Sequence, residues 1–314
     1  MTTTGWRWVL NRWLPRAAPL AGAVLLGSVL WAPETAGASS SHAVIDVVAA
    51  ENTWGSLAAQ LGGNRVDVVS IVSDPNADPH EYESNPADAR DFAEARYVII
   101  NGAGYDDWAE QLIGAQAVPG RKVLDVASLL GEGSTANPHF WYGPGYVARV
   151  INRITADYSA LDPADRGYFA QRHAAVEAAF EPERAALAYL RTHFSGTPVA
   201  ATESIFEYLA AYVHLDLVTP SAFMEAVAEG NDPSAPSVAT FYRQIAAKAF
   251  RVLVYNVQTV TPLTTSLKAA AAQADIPVIG VSETIQPPID NFEQWMTGQL
   301  SALANGLNAQ ALGQ

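Results

Sequence analysis

The strongest constraint on the fold is an alternation of β-rich apolar runs with amphipathic helical stretches, interrupted once. "AVIDVVAA" (residues 43–50) reads as a strand and "TWGSLAAQLGG" as the helix behind it. The Gly62-Gly63 pair is expected to end that helix, because glycine takes the left-handed cap conformation without strain. "RVDVVSIV", "RYVIIN" and "KVLDV" read as further strands, the first of them buried, with helices at "PADARDFAEA" and "YDDWAEQLIG". The alternation resumes in "TPVAAT", "LDLVTP", "RVLVYN" and "IPVIGVS". The helices between and after them are "SIFEYLAAYV", "SVATFYRQIAAKAF", "PLTTSLKAAAAQA" and "FEQWMTGQLSALANGL". Such alternation builds βαβ units on a mostly parallel sheet. The expected fold class is α/β, with two lobes, each a mostly parallel sheet flanked by helices.

The interruption is helical. "PGYVARVINRITADYSAL" carries Val147, Val150, Ile151 and Ile154 at the i, i+3, i+4, i+7 spacing of a buried stripe. Asp162 before Pro163 is a favourable helix start, and a long helical segment runs from there to about His193. Pro182 is expected to kink or break it. The implied organisation is an N-terminal lobe over 39–160, a connecting helix over 161–195 and a C-terminal lobe over 196–314. Two such lobes leave a cleft, and ligands of parallel sheets sit beyond the carboxyl ends of the strands.

Residues 1–38 differ from the rest. Arg7, Arg12 and Arg16 precede an uncharged, mostly apolar run, and Ala36 and Ala38 then form an A-x-A pattern. This is the form of a secretory signal peptide cleaved after about Ala38. The clearly apolar part, 21–32, is short for a membrane span of about 20 residues. The mature chain is therefore expected outside the cytoplasm, in the periplasm or cell-envelope space. With no cysteine in 314 residues, neither a disulfide nor a cysteine-linked lipid is available, so a soluble protein is expected. The net charge of −14 and the lack of any run of four Lys or Arg argue against nucleic acid as a partner. No GxxxxGK[ST] loop is present, so ATP hydrolysis at such a site is not expected here.

Four residues at expected strand ends or helix starts stand out. His80 lies in "SDPNADPHEYESNP", among prolines and acids, after a strand. Alone it reads as a solvated loop histidine, with Glu81 and Glu83 either orienting it or facing water. His139 lies in "ANPHFWYGPGY", a second Pro-His pair leading to a helix; it could equally fill a turn beside core aromatics. Glu203, in "VAATESIFEYLA", follows a strand and opens a helix, where an acid also serves the helix dipole. Asp290, in "PPIDNFEQWM", precedes the final helix and alone reads as an N-cap. Together, two imidazoles and two carboxylates form an N2O2 set whose charge balances a divalent ion such as zinc, manganese or ferrous iron. His42, His173, His193 and His214 fit such a site poorly.

"DPHEYE", "NPHFWY", "VAATESIFEYLA", "VLVYNVQTVTP", "IPVIGVSET" and "DNFEQWM", in that order, resemble the cluster A-I metal-binding proteins of ABC importers (solute-binding protein family 9). The resemblance covers about residues 44–310. It implies two α/β lobes joined by one stiff helix, with Zn2+ or Mn2+ bound between them as cargo. It implies metal ligands at His80, His139, Glu203 and Asp290, the last being the loosest match. The third position is His in many zinc binders and Glu in many manganese binders, which leans toward manganese. "NPHFWY" and "VYNVQTVTP" instead look like the branch usually called zinc-binding. The short "LLGEGSTANPH" segment also lacks the His-rich loop of many zinc binders.

The expected function is the extracytoplasmic metal-binding component of an ABC importer, a monomer and not an enzyme. It would deliver its ion to a membrane permease powered by a separate ATPase. The alternatives are a secreted metal-dependent hydrolase on the same ligands, with Glu51, Glu81 or Glu83 as its base, and an adhesin-like interaction protein.

Overall fold

Strand order repeats twice along the chain. The computed structural model describes residues 44–311, and the expected leader over residues 1–38 lies outside them. The first half holds β1 (Ile45–Glu51), α1 (Asn52–Gly62), β2 (Val66–Val72), α2 (Pro86–Glu94), β3 (Tyr97–Ile100), α3 (Asp107–Ala115), β4 (Lys122–Asp125) and α4 (Val126–Leu130). The helical middle is α5 (Pro144–Leu161), α6 (Arg166–Ala179) and α7 (Glu181–Phe194). The second half holds β5 (Pro198–Ala201), α8 (Glu207–Tyr212), β6 (Asp216–Leu217), α9 (Ser221–Ala228), α10 (Ala235–Ala246), β7 (Leu253–Asn256), α11 (Pro262–Gln273), β8 (Val278–Val281) and α12 (Phe292–Ala311).

The strands form two four-stranded sheets ordered β2-β1-β3-β4 and β6-β5-β7-β8, and every pairing is parallel. In each, chain order reverses at the centre, between β1 and β3 and between β5 and β7. That reversal opens a crevice at the carboxyl ends of the central strands.

Burial follows sheet position. All four residues of β3 are buried. β2 is an edge strand, and its side chains alternate in exposure, with Val69 41% exposed. The apolar run "VDVVSIV" therefore is not a buried strand: an edge position leaves its backbone and one row of side chains open.

α5 buries Val147, Val150, Ile151 and Ile154, the stripe its spacing prescribes. The segment after it is two helices, because the chain breaks at Phe180 and Pro182 occupies the first turn of α7. Proline fits there because it lacks only an N–H that has no partner in a first turn. Gly63 ends α1 at φ +52°, a conformation that favours glycine.

α4 and α9 are additions to the expected elements. "LDLVTP" supplies only a two-residue strand. There the Thr219 hydroxyl takes the Ala201 N–H at 2.9 Å, so pairing with the backbone stops.

One apolar core runs through both sheets and the helical middle and includes Trp54, Trp141, Tyr158, Phe206 and Phe292. A smaller one on the other face of the first sheet joins Val48, Val98 and Ile100 to Phe92. The halves are also hydrogen-bonded directly. Asn52 donates to Ile285 O at 3.2 Å and accepts from Ile285 N at 2.9 Å. Among the described residues, no helix is long and apolar enough to cross a membrane.

Candidate metal centre

The crevice of each sheet presents polar side chains. β1 ends at Glu51, β3 is followed by Asn101, β5 by Thr202 and Glu203, and β7 ends at Asn256. All five are buried.

His80 is carried by a short helical turn, Pro79–Glu81, beyond β2. Asp78 starts that turn: its Oδ1 accepts the His80 N–H at 3.0 Å. Pro79 occupies the first position, where no N–H is needed. Of the other acids in this loop, Asp74 accepts from Asn76 N at 2.9 Å, while Glu81 and Glu83 are exposed.

His139 is fully buried among Tyr105, Trp141 and His80. Its Nδ1–H donates to Asn137 Oδ1 at 2.7 Å. The Asn137 amide is itself oriented, because its Nδ2 donates to Ser204 O at 2.7 Å and to Glu207 Oε2 at 2.9 Å. Nε2 of His139 is thereby left as the free lone pair, pointing at Nε2 of His80 3.3 Å away.

Glu283, two residues past β8, completes the group. Its Oε2 lies 3.5 Å from both imidazole Nε2 atoms and accepts the Tyr105 hydroxyl at 2.5 Å. The three atoms thus form a triangle with edges of 3.3, 3.5 and 3.5 Å. A tetrahedral ion with bonds of about 2.0–2.1 Å has ligand–ligand edges of about 3.3–3.4 Å. Among the described residues, His80, His139 and Glu283 are the group of ligand atoms close enough to share one ion.

Glu203 adjoins this group and is fully buried. Asn256 Nδ2 joins the two acids, donating to Glu203 Oε1 at 2.9 Å and Glu283 Oε1 at 2.5 Å. The other oxygen of Glu203 has no hydrogen-bond partner, a costly state for a buried polar atom that a cation would relieve. Burial raises the pKa of the Glu203 carboxyl well above its usual value, and the neighbouring Glu283 charge raises it further. Burial would raise that of Glu283 as well, but His80, His139 and the Tyr105 hydroxyl outweigh it and hold it at about 2. Burial lowers the pKa of His139, which favours the neutral ring a metal needs.

Asp290, the fourth expected ligand, lies outside this group. It is exposed on another cavity, and its backbone carbonyl accepts the Ser56 hydroxyl at 2.8 Å. The cis Pro287-Pro288 bond lies between it and Glu283. Asp290 stands just before α12, whereas Glu283 stands just past the end of β8. Glu51 is fully buried, and burial, then the Asp106 charge, raises its pKa well above the carboxylate range.

A cavity of about 430 Å³ touches His80, bordered by Tyr105 and Asn137 on one side and Ser204, Glu207 and Glu225 on the other. His80 is the accessible member of the triangle, with 22% of its side chain exposed, against 0% for His139 and Glu283.

A family model described as zinc-uptake complex component A, periplasmic, matches residues 47–306. The manganese-binding lipoprotein MntA of Bacillus subtilis is 28% identical over 141 residues, 41% of this chain and 44% of that protein. The chain thus spans less than half the length of this curated relative. The crystal structure of ZnuA superposes with a TM-score of 0.66 at 23% identity, over 83% of this chain and 98% of that one. The periplasmic zinc-binding protein TroA of Treponema pallidum does so at 0.69 and 14% identity, over 83% and 98%. These two likenesses show the fold, and it is the expected two-lobed α/β class with parallel sheets. With the family model matching most of its length, the chain belongs to the family of the periplasmic zinc-uptake component A.

Proposed function

We propose that this chain is the extracytoplasmic solute-binding component of a metal ABC importer. It captures Zn2+ or Mn2+ through His80, His139 and Glu283, with Glu203 as the second carboxylate. The observation that carries this reading is the triangle of two Nε2 atoms and one Oε2 at 3.3–3.5 Å. Its edges suit a tetrahedral ion of zinc's size, and an N/O site of this kind holds Zn2+ more tightly than Mn2+. Family membership supports the transport role, and the manganese relative supports manganese as an alternative cargo.

The lobes in this reading are residues 39–160 and 196–314, joined by 161–195. The leader at 1–38 takes the chain out of the cytoplasm, where it acts as a soluble monomer without a lipid anchor. It hands its ion to a membrane permease driven by a separate ATPase, and it performs no catalysis.

Calorimetric titration of the metal-stripped protein with Zn2+ and Mn2+ tests this. Micromolar or tighter binding is expected for Zn2+. His139→Ala and Glu283→Ala are expected to weaken it about 100-fold or more, since each removes a direct ligand. Asp290→Ala is expected to bind as the wild type does. Failure to bind either ion sinks the proposal. Loss of binding in Asp290→Ala, with Glu283→Ala unaffected, would return the site to Asp290.

A further inference from the structure

The structure assigns Gln258 and Thr259, just past β7, the role of a clamp that holds the two halves of the metal site together and slows release of the ion. The release half of this inference rests on the metal-capture reading above.

Both residues are buried, at 6% and 8% exposure, and neither belongs to the triangle. Gln258 Oε1 accepts the backbone N–H of Glu283 at 2.7 Å and of Thr284 at 3.2 Å. It therefore fixes the backbone that carries one proposed ligand. Its Nε2 donates across the crevice to Ala77 O at 2.7 Å, in the loop that carries His80. The amide has one workable orientation, because its oxygen faces two N–H groups and its nitrogen faces a carbonyl.

The Thr259 hydroxyl accepts from Asn256 Nδ2 at 3.0 Å and donates to Asp78 Oδ2 at 3.1 Å. The other oxygen of Asp78 caps the N–H of His80. A continuous set of bonds therefore runs from the Glu283 segment, through two adjacent side chains, to the turn of His80. His80 is the accessible member of the triangle, so an ion leaves most directly when its turn moves away. That movement must break the bonds to Ala77 and Asp78. Gln258 and Thr259 are positioning residues: they act through His80 and Glu283.

The test is zinc release from the purified protein into excess chelator, followed by stopped flow. Gln258→Met, Thr259→Val and Thr259→Ser are compared with wild type. Hydrogen exchange of residues 74–82 is measured in the metal-free chain. Gln258→Met and Thr259→Val are expected to release zinc about 10–100-fold faster, the usual scale for an outer-shell partner, with little change in association rate. Thr259→Ser keeps the hydroxyl and is expected to restore slow release. Exchange over 74–82 is expected to rise in Gln258→Met and Thr259→Val.

Unchanged release in folded Gln258→Met and Thr259→Val overturns the clamp. So does Thr259→Ser releasing as fast as Thr259→Val, which would make packing the cause and not the hydroxyl. If Gln258→Met does not fold, the Thr259 pair decides. If the wild type takes up no zinc, the capture reading fails, and exchange in the metal-free chain then decides the clamp alone: unchanged protection overturns it.

Discussion

His139 has one ring nitrogen free because Asn137 holds the other. The dependence is directional: the Asn137 amide nitrogen is committed to Ser204 and Glu207, so its oxygen must face the imidazole. Asn137→Ala removes that acceptor and lets the ring rotate or change tautomer. Zinc affinity is expected to fall about 10–100-fold, with Asn137→Asp retaining more of it because an acceptor remains. Calorimetry checks both, and wild-type affinity in Asn137→Ala would refute the orienting role. At this scale His80, His139 and Glu203 stood out in the sequence because each follows a strand or a Pro-containing loop. Glu283 obeys the same rule, but a carboxylate at a strand end and one at a helix start, such as Asp290, look alike in one dimension. Only the fold shows which of them is buried.

Among the elements, α7 carries the most perturbed acid outside the crevice. Glu183 is 3% exposed, and one of its oxygens has no hydrogen-bond partner. Burial, then the charge of Glu293 on α12, raises its pKa to about 8. A raised carboxyl pKa means that the folded chain holds a proton the unfolded chain has lost. Stability therefore falls as pH rises from the unfolded value near 4.5 to about 8, and the loss is complete above that. Glu183→Gln removes the penalty, so it is expected to stabilise the protein above pH 8 by on the order of 1–4 kcal/mol. That corresponds to about 2–4 °C in Tm per kcal/mol. The gain is expected to vanish near pH 4.5, where the native carboxyl is already neutral. Thermal melts at pH 5, 7 and 8.5 check it, and a gain independent of pH would show that packing, not ionisation, is responsible. Strand and helix positions were largely readable because their apolar periodicity is local. The edge exposure of β2 was not, because "VDVVSIV" is equally apolar in a buried strand and an edge strand.

For the whole molecule, the proposed site draws His80 and His139 from one half of the chain and Glu203 and Glu283 from the other. An ion bound there links the halves, so it must stabilise the folded form by mass action. At about 100 times Kd, zinc is expected to add about 2.7 kcal/mol, and Tm should rise with zinc concentration. The rise should be absent in Glu283→Ala, and an unchanged wild-type Tm would argue against a site that spans the halves. The sequence by itself determined the class of fold, the two blocks and the helical middle, because these follow from periodicities of two and 3.6 residues and from where proline and glycine can sit. It also singled out the two imidazoles that the fold brings within 3.3 Å of each other. The tertiary structure decided which acid joins them, which amide orients them and which side chains tie their loops together. Those choices depend on burial and on contacts between residues far apart in sequence, such as Gln258 with Ala77 at a separation of 181. No local pattern encodes such a pair, since it exists only after the two sheets have packed.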